Sequence, residues 1–241
     1  AMQVARPGLY EYELEAEIQH EFLKNGCQAP AYNSIVGSGA NACILHYVEN
    51  NKAMQDGDLV LIDAGGELDH YASDITRTFP VNGKFSPEQK AIYQLVLDAQ
   101  HAAIASVKPG AHWNTPHETV ISVLVDGLLS LGLLTGTKEE CIESASYRQF
   151  FMHRTGHWLG MDVHDVGDYK IDNQWRELEP GMVMTVEPGL YVSPDCETVD
   201  PKWRGIGVRI EDDVVVTKTG HEVLTHGVPK TVDEIEALMA R

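Results

Sequence analysis

Four carboxylates sit where a β-sheet protein normally places an aliphatic side chain, and any fold this sequence adopts has to give them a partner. They occur in DLVLIDAGG (Asp63), YASDITRTF (Asp74), MVMTVEPGLYV (Glu187) and GIGVRIEDD (Glu211). Period-two alternation puts Leu59, Leu61 and Asp63 on one face of the first run and Val60 and Ile62 on the other. In the second run it groups Asp74, Thr76 and Thr78, and the linking Gly65-Gly66 lets the two runs fold back as a hairpin that brings Asp63 towards Asp74. Val183, Thr185 and Glu187 share a face before Pro188-Gly189 breaks the strand, and Arg209 and Glu211 share one opposite Val208 and Ile210. Carboxylates drawn together in apolar surroundings repel each other or share a proton unless a cation lies between them. A metal is the simplest such partner.

The rest of the chain supplies the frame. Leu14, Ile18 and Phe22 recur every four residues between Tyr10 and about Asn25, predicting an amphipathic helix ended by Gly26. Ser86-Pro87-Glu88-Gln89 opens a helix to about Val107, and Thr115-Pro116-His117-Glu118 opens another through about Leu131. A short helical piece is expected from Glu139 to Ser144, and Thr231-Val232-Asp233-Glu234 caps a last helix. Strands are expected in YNSIVG, CILHYV, FFMH and the four carboxylate-bearing runs, while Ala1 to Ala5 reads as the end of a helix. With no low-complexity divider, this order predicts one α+β domain over residues 1–241, a curved antiparallel-rich sheet with helices on its outer face.

Composition excludes some partners. With 36 acidic and 18 basic side chains the net charge is −18, which repels phosphate backbones and anionic lipid, so neither nucleic acid nor a membrane is expected. No apolar run reaches the length of a membrane span and no secretory signal opens the sequence, so a cytoplasmic location is the expectation. Cys27, Cys43, Cys141 and Cys196 are far apart and form no Cys-x-x-Cys pair, as expected of reduced thiols. Histidines, by contrast, cluster in suggestive settings: His46 in ILHY, His153 and His157 in FFMHRTGHWLG, His164 in MDVHDVG.

Taken together, these strings resemble the pita-bread metallopeptidase superfamily, whose five ligands occur in the order Asp, Asp, His, Glu, Glu. The matching residues here are Asp63, Asp74, His157, Glu187 and Glu211. Along nearly the whole chain YNSIVGSG, ILHY, LVLIDAG, DITRTFPVNGKF, HWLGMDVHDVG, EPGMVMTVEPGLY and RGIGVRIEDD are similar to the aminopeptidase P branch of that family. The resemblance implies a dinuclear aminopeptidase that cleaves between an N-terminal residue and a penultimate proline by attack of a metal-bridging hydroxide. Asp74 and Glu211 would then bridge both ions, Asp63 would complete one site, and His157 with Glu187 the other. An oxygen-rich set of this kind suits manganese first, with cobalt, iron or zinc as alternatives. By the same resemblance Glu187 also shuttles a proton, His46 and His164 contact substrate and the tetrahedral centre, and His153 lines the proline pocket. Tyr32, Tyr191 and Arg209 join the substrate-binding set, although Arg209 has a second reading as the group that orients Glu211. The implied partner is a peptide with proline at position two. The family also implies an N-terminal domain ahead of this point and a homo-oligomer in the full-length form. Prolidase and methionine aminopeptidase are the rival readings within the superfamily, creatinase shares the fold without the metal set, and a metal-free peptide-binding module is the rival from another class.

Overall fold

The computed structural model describes residues 1–240. In chain order it forms α1 (Glu11–Lys24), the two-residue β1 (Ala29–Pro30), β2 (Ile35–Ser38), β3 (Leu59–Ala64), the short β4 (Gly66–Glu67) and β5 (Ile75–Pro80). Helices α2 (Pro87–Ser106), α3 (Thr115–Ser130) and α4 (Lys138–Glu143) follow. The second half adds β6 (Lys170–Ile171), β7 (Gln174–Trp175), β8 (Val183–Val186), β9 (Gly189–Val192), β10 (Ile206–Arg209), β11 (Asp212–Val216), β12 (His221–Val223) and α5 (Val232–Met239). This is the expected α+β architecture, with antiparallel ladders β2-β3-β5, β12-β11-β8 and β10-β9.

Local chemistry explains the helix ends. Ser86 Oγ accepts from the Gln89 N–H at 3.2 Å while Gln89 Oε1 accepts from the Ser86 N–H at 2.9 Å, and Pro87 supplies the first helical φ of α2. Thr231 and Glu234 repeat this reciprocal cap on α5. At α3 the expected cap is displaced by one residue: Thr115 is already helical and Asn114 occupies the cap without a side-chain cap bond. Its amide is engaged elsewhere, donating to Glu118 Oε1 at 2.6 Å and accepting from Arg154. Helices α2 and α3 pack against each other, and Ile92, Val96, Val120 and Leu124 are fully buried in the core to which both contribute.

Other expectations are corrected. CILHYV is no strand: Gly39–Cys43 forms a 3-10 turn and the residues after it are irregular. FFMH is no strand either: a 3-10 turn over Ser146–Gln149 leads into it, and the Phe150 and Phe151 N–H groups both donate to the Tyr147 carbonyl at 2.9 Å instead of to a neighbouring strand. Residues 1–5 make one turn, in which the Ala1 carbonyl accepts from the Val4 and Ala5 N–H groups. Both long second-half runs are split, at Glu187-Pro188 and at Ile210-Glu211. Those breaks are where two of the four carboxylates sit.

The segment carrying His157 runs beside β8. The Thr185 N–H donates to the His157 carbonyl at 3.0 Å, and the Glu187 N–H donates to the Thr155 carbonyl at 2.8 Å. Contact this close requires glycine at 156, where an added Cβ would lie 2.0 Å from the Thr185 carbonyl oxygen. The fully buried Glu11 ties α1 to the end of β2 and to the loop after it. Its carboxylate accepts from the Ser38 N–H (2.7 Å), the Ser38 hydroxyl (2.8 Å), the Tyr47 hydroxyl (2.9 Å) and the Lys52 N–H (2.9 Å). Glu11→Ala is therefore expected to lower unfolding free energy by about 3 kcal/mol, because buried donors lose a charged acceptor. Glu11→Gln should fall between the two, since its amide nitrogen cannot accept from a backbone N–H. Urea denaturation curves check this; equal midpoints for all three proteins would refute the role.

Candidate metal centre and active-site cleft

A cleft of about 710 Å³ opens between the two halves of the strand system. Its floor collects all four of the carboxylates read from the sequence. Asp63 closes β3, Asp74 immediately precedes β5, Glu187 stands in the break between β8 and β9, and Glu211 in the break between β10 and β11. The hairpin expectation for the first two holds through a shared partner. In the register of β3 and β5 Asp63 faces Thr76, and Asp74 is reached by the Tyr32 hydroxyl, which contacts Asp63 Oδ1 and lies 2.5 Å from Asp74 Oδ1. Glu211 Oε2 accepts from the Thr76 hydroxyl at 2.6 Å.

His157 completes the cluster in a form suited to a metal. Its Nδ1–H donates to the Trp158 carbonyl at 2.9 Å, which fixes the tautomer and turns the Nε2 edge to Asp74 Oδ2 at 3.3 Å and Glu187 Oε1 at 3.7 Å. Asp74, His157 and Glu211 each offer a ligand atom within 4.8 Å of the others. The donor set, carboxylate oxygens with one imidazole nitrogen, fits a divalent cation.

Electrostatics points the same way. Burial, reinforced by the charges of Asp74, Glu187 and Asp63, drives the Glu211 carboxyl well above the ordinary range. Burial likewise raises Asp74, and it pushes Glu187 up to about 7 against the pull of His157 and Arg209. His157 loses to burial but gains more from its contact with Asp74 and the charge of Glu187, ending at about 9. Without cations, this floor holds protons that a divalent ion would displace.

One permanent cation is built into the floor. Arg209, 3% exposed, donates from Nη2 to Asp63 Oδ2 at 2.7 Å, from Nη1 to the Tyr191 hydroxyl at 3.0 Å and from Nε to the Thr76 hydroxyl at 3.2 Å. It touches Glu211 only through Thr76, so it braces Asp63 directly and Glu211 at one remove. The Tyr191 hydroxyl meets His153 Nε2 at 2.8 Å, and the His153 Nδ1–H donates to the Arg154 carbonyl at 2.7 Å. Burial and the charge of Arg209 depress His153 to about 3, so it is a neutral imidazole accepting from Tyr191.

His164 is exposed at the cleft rim, its ring 4.3 Å from that of His157 and edge-on to it. Burial and the neighbouring His157 and His46 charges lower its pKa. His46 is exposed at the rim in the irregular segment after the 3-10 turn. The residues singled out from the sequence therefore line one cleft, except Tyr191, which is buried behind its wall and reaches it only through His153 and Arg209. The cleft also holds residues that no motif marked: Trp113, Arg154, Tyr169 and Trp175. The one sequence clue is Trp175 in IDNQWRELE, an indole with no apolar periodicity to bury it.

Comparison with known proteins identifies the family. Residues 1–218 match the model of metallopeptidase family M24, and the chain belongs to that family. It is 56% identical over 239 residues to the Xaa-Pro aminopeptidase of Escherichia coli K12, covering 99% of this chain and 54% of that protein. It is 40% identical over 272 residues to the human Xaa-Pro dipeptidase, covering 99% of this chain and 55% of that protein. Aminopeptidase PepP of Pseudomonas aeruginosa superposes with a TM-score of 0.99 at 66% identity, covering 99% of this chain and 54% of the solved one. A substrate complex of a variant Escherichia coli aminopeptidase P gives 0.96 at 55% identity, with 99% and 54% covered. The fold is the pita-bread fold, and the chain spans about half the length of these relatives.

Arg209 is the counter-charge for a floor that otherwise holds only carboxylates and imidazole. In EDTA, Arg209→Met is expected to lose about 3 kcal/mol of unfolding free energy, the scale for stranding one member of a buried pair. An unchanged urea midpoint in EDTA would show that the floor does not depend on it.

Proposed function

We propose that residues 1–241 form a catalytic domain that binds two divalent ions and hydrolyses the bond between an N-terminal residue and a penultimate proline. The observation that carries this reading is the convergence of Asp63, Asp74, Glu187, Glu211 and His157 on one cleft floor with a single built-in cation. The names borne by the relatives support the proline specificity. In the assignment we favour, Asp63, Asp74, His157, Glu187 and Glu211 would hold the two ions. Manganese is the first choice on ligand chemistry. Bound there, such ions would supply Lewis acidity and lower the pKa of the attacking water towards neutrality.

The protein's own groups do the rest. Glu187 accepts the proton of the attacking water and passes it to the leaving proline nitrogen. His164 and His46, at the rim beside His157, donate hydrogen bonds to the substrate carbonyl as negative charge develops on its oxygen. His153, held neutral against Tyr191 and edge-on to Phe151 at 5.0 Å, offers an apolar wall suited to a proline ring. Tyr32 holds the two aspartates in register, and Tyr191 and Arg209 fix the cleft wall. Four unpaired thiols suit the reducing cytoplasm in which we place the enzyme.

Metal loading and turnover test this together. Manganese at about a hundredfold its dissociation constant should stabilise the protein by about 2.7 kcal/mol, roughly 5–10 °C in a domain of this size. The loaded protein should cleave Xaa-Pro-Xaa tripeptides and leave Xaa-Ala-Xaa peptides largely intact. Asp74→Asn and Glu211→Gln should each abolish turnover and remove at least one ion by metal analysis. Near-normal turnover with two ions retained would defeat the ligand assignment; cleavage of Xaa-Pro dipeptides alone would favour the dipeptidase activity.

His164 is expected to act without ligating. His164→Ala should lower turnover about 10²-fold, the scale for losing an electrostatic or proton-transfer partner, with metal content and melting temperature close to the parent's. A variant that loses metal yet turns over normally per loaded molecule would show a structural role only.

A further inference from the structure

The cleft is electrically lopsided. Its floor carries four carboxylates, and among the described residues that line it only Arg154 and Arg209 bear a permanent positive charge. Arg209 is buried and committed to Asp63, Tyr191 and Thr76. Arg154 is exposed at the rim and forms no ion pair with any described residue.

Arg154 is nevertheless held in place. Its guanidinium lies over the Trp175 ring with the carbon 5.0 Å from the ring centre, and one Nη2–H is accepted by Asn114 Oδ1. Trp175 is fixed in turn by the β6–β7 ladder, where it pairs with Lys170, whose Nζ lies 4.2 Å from the same ring centre. A guanidinium stacked on an indole keeps its edge N–H donors directed outwards in one plane, the arrangement that takes a carboxylate through two parallel hydrogen bonds. The remaining Arg154 donors have no acceptor among the described residues. Stacking and the Asn114 bond reduce the side-chain entropy lost when an anion binds, which separates this arginine from a free surface one.

We propose that Arg154, braced by Trp175 and Asn114, is the subsite for a substrate carboxylate downstream of the cleaved bond. That carboxylate is either the C-terminus of a tripeptide or the side chain of an acidic third residue. The inference rests on the peptidase function proposed above and adds an electrostatic polarity to it. The positive amino end of a peptide belongs at the acidic floor. Its negative end is repelled there, and by a protein of net charge −18, and among the residues lining the cleft it finds an uncommitted cation at Arg154. The reach is suitable: Arg154 is three residues from His157, at most ~11 Å along the chain, and an extended peptide advances ~3.5 Å per residue. A group two residues beyond the scissile carbonyl, ~7 Å along an extended peptide, falls within that span.

The test compares substrates that differ only in that charge, with the manganese-loaded full chain at low ionic strength. Ala-Pro-Ala is measured against its C-terminal amide, and the amide of Ala-Pro-Glu against the amide of Ala-Pro-Gln. The charged member of at least one pair should have a kcat/KM about three- to tenfold higher, carried by KM and falling as salt is raised. Arg154→Gln should bring that ratio close to one, and Arg154→Lys should keep part of it. A preference in the first pair places a terminal carboxylate at Arg154, and one in the second pair an acidic side chain. Ratios near one in both pairs, or a preference that Arg154→Gln leaves intact, overturn the subsite while the peptidase reading stands. Absence of turnover of every peptide overturns both.

Discussion

The structure depends on the contact between β5 and the break joining β10 to β11. Thr76 and Glu211 face the cleft, joined through Oγ1 and Oε2, and the Glu211 N–H donates to the Thr76 carbonyl at 3.0 Å. On the other side of the same residues, Arg77 Nη2 pairs with Asp212 Oδ1 at 2.7 Å and Nη1 donates to the Glu211 carbonyl. Asp212 is closed off by Lys230 and Gln100, each 2.7 Å from its Oδ2, and by Thr225 at 2.6 Å from its Oδ1. A buried ion pair adds little net stability against an apolar replacement, but its position here is strict. Slipping either strand by one residue would turn the pair into the cleft and a carboxylate of the floor into the core.

That constraint lets the protein gather acidic groups without coming apart. Asp213, one residue beyond the ion pair, returns to the cleft side, where its carboxylate accepts from the Asp74 N–H at 3.1 Å. The alternation of inward and outward residues along β11 therefore delivers Glu211 to the floor, Asp212 to the back and Asp213 to the support of Asp74. Arg209 pairs with Asp63, whereas Asp74, Glu187 and Glu211 have only neutral hydroxyls or an imidazole beside them, and burial raises the free energy of their charged forms. Such a site is built to exchange protons for cations, and the family to which the chain belongs is one of metallopeptidases.

The histidines show how backbone geometry sets chemistry. His153 and His157 each spend Nδ1–H on a nearby main-chain carbonyl, of Arg154 and Trp158 respectively. Their Nε2 atoms then meet different partners. His153 faces the Tyr191 hydroxyl backed by Arg209 and stays neutral, whereas His157 faces two carboxylates and is held protonated without a metal. Four residues of chain thus separate a neutral imidazole from one that faces two carboxylates.

The sequence by itself determined the periodic elements and the chemical inventory. Alternation in DLVLIDAGG and YASDITRTF, and the capping residues at Ser86 and Thr231, act over a few residues and can be read without a partner. The same alternation identified which carboxylates turn inward, and the motifs shared with a known family supplied their order. Only the tertiary structure decided where the long runs break, that CILHYV and FFMH form no strands, and that Asn114 rather than Thr115 caps α3. Those outcomes depend on groups far away in sequence: Phe150 accepts from the Tyr191 N–H, and Asn114 is claimed by Arg154. The braced Arg154 and the Tyr32 hydroxyl shared by two aspartates were likewise beyond the sequence. Their roles come from contacts across 21, 31 and 42 residues, and the close approach of groups so separated is settled by packing, which local propensity does not encode.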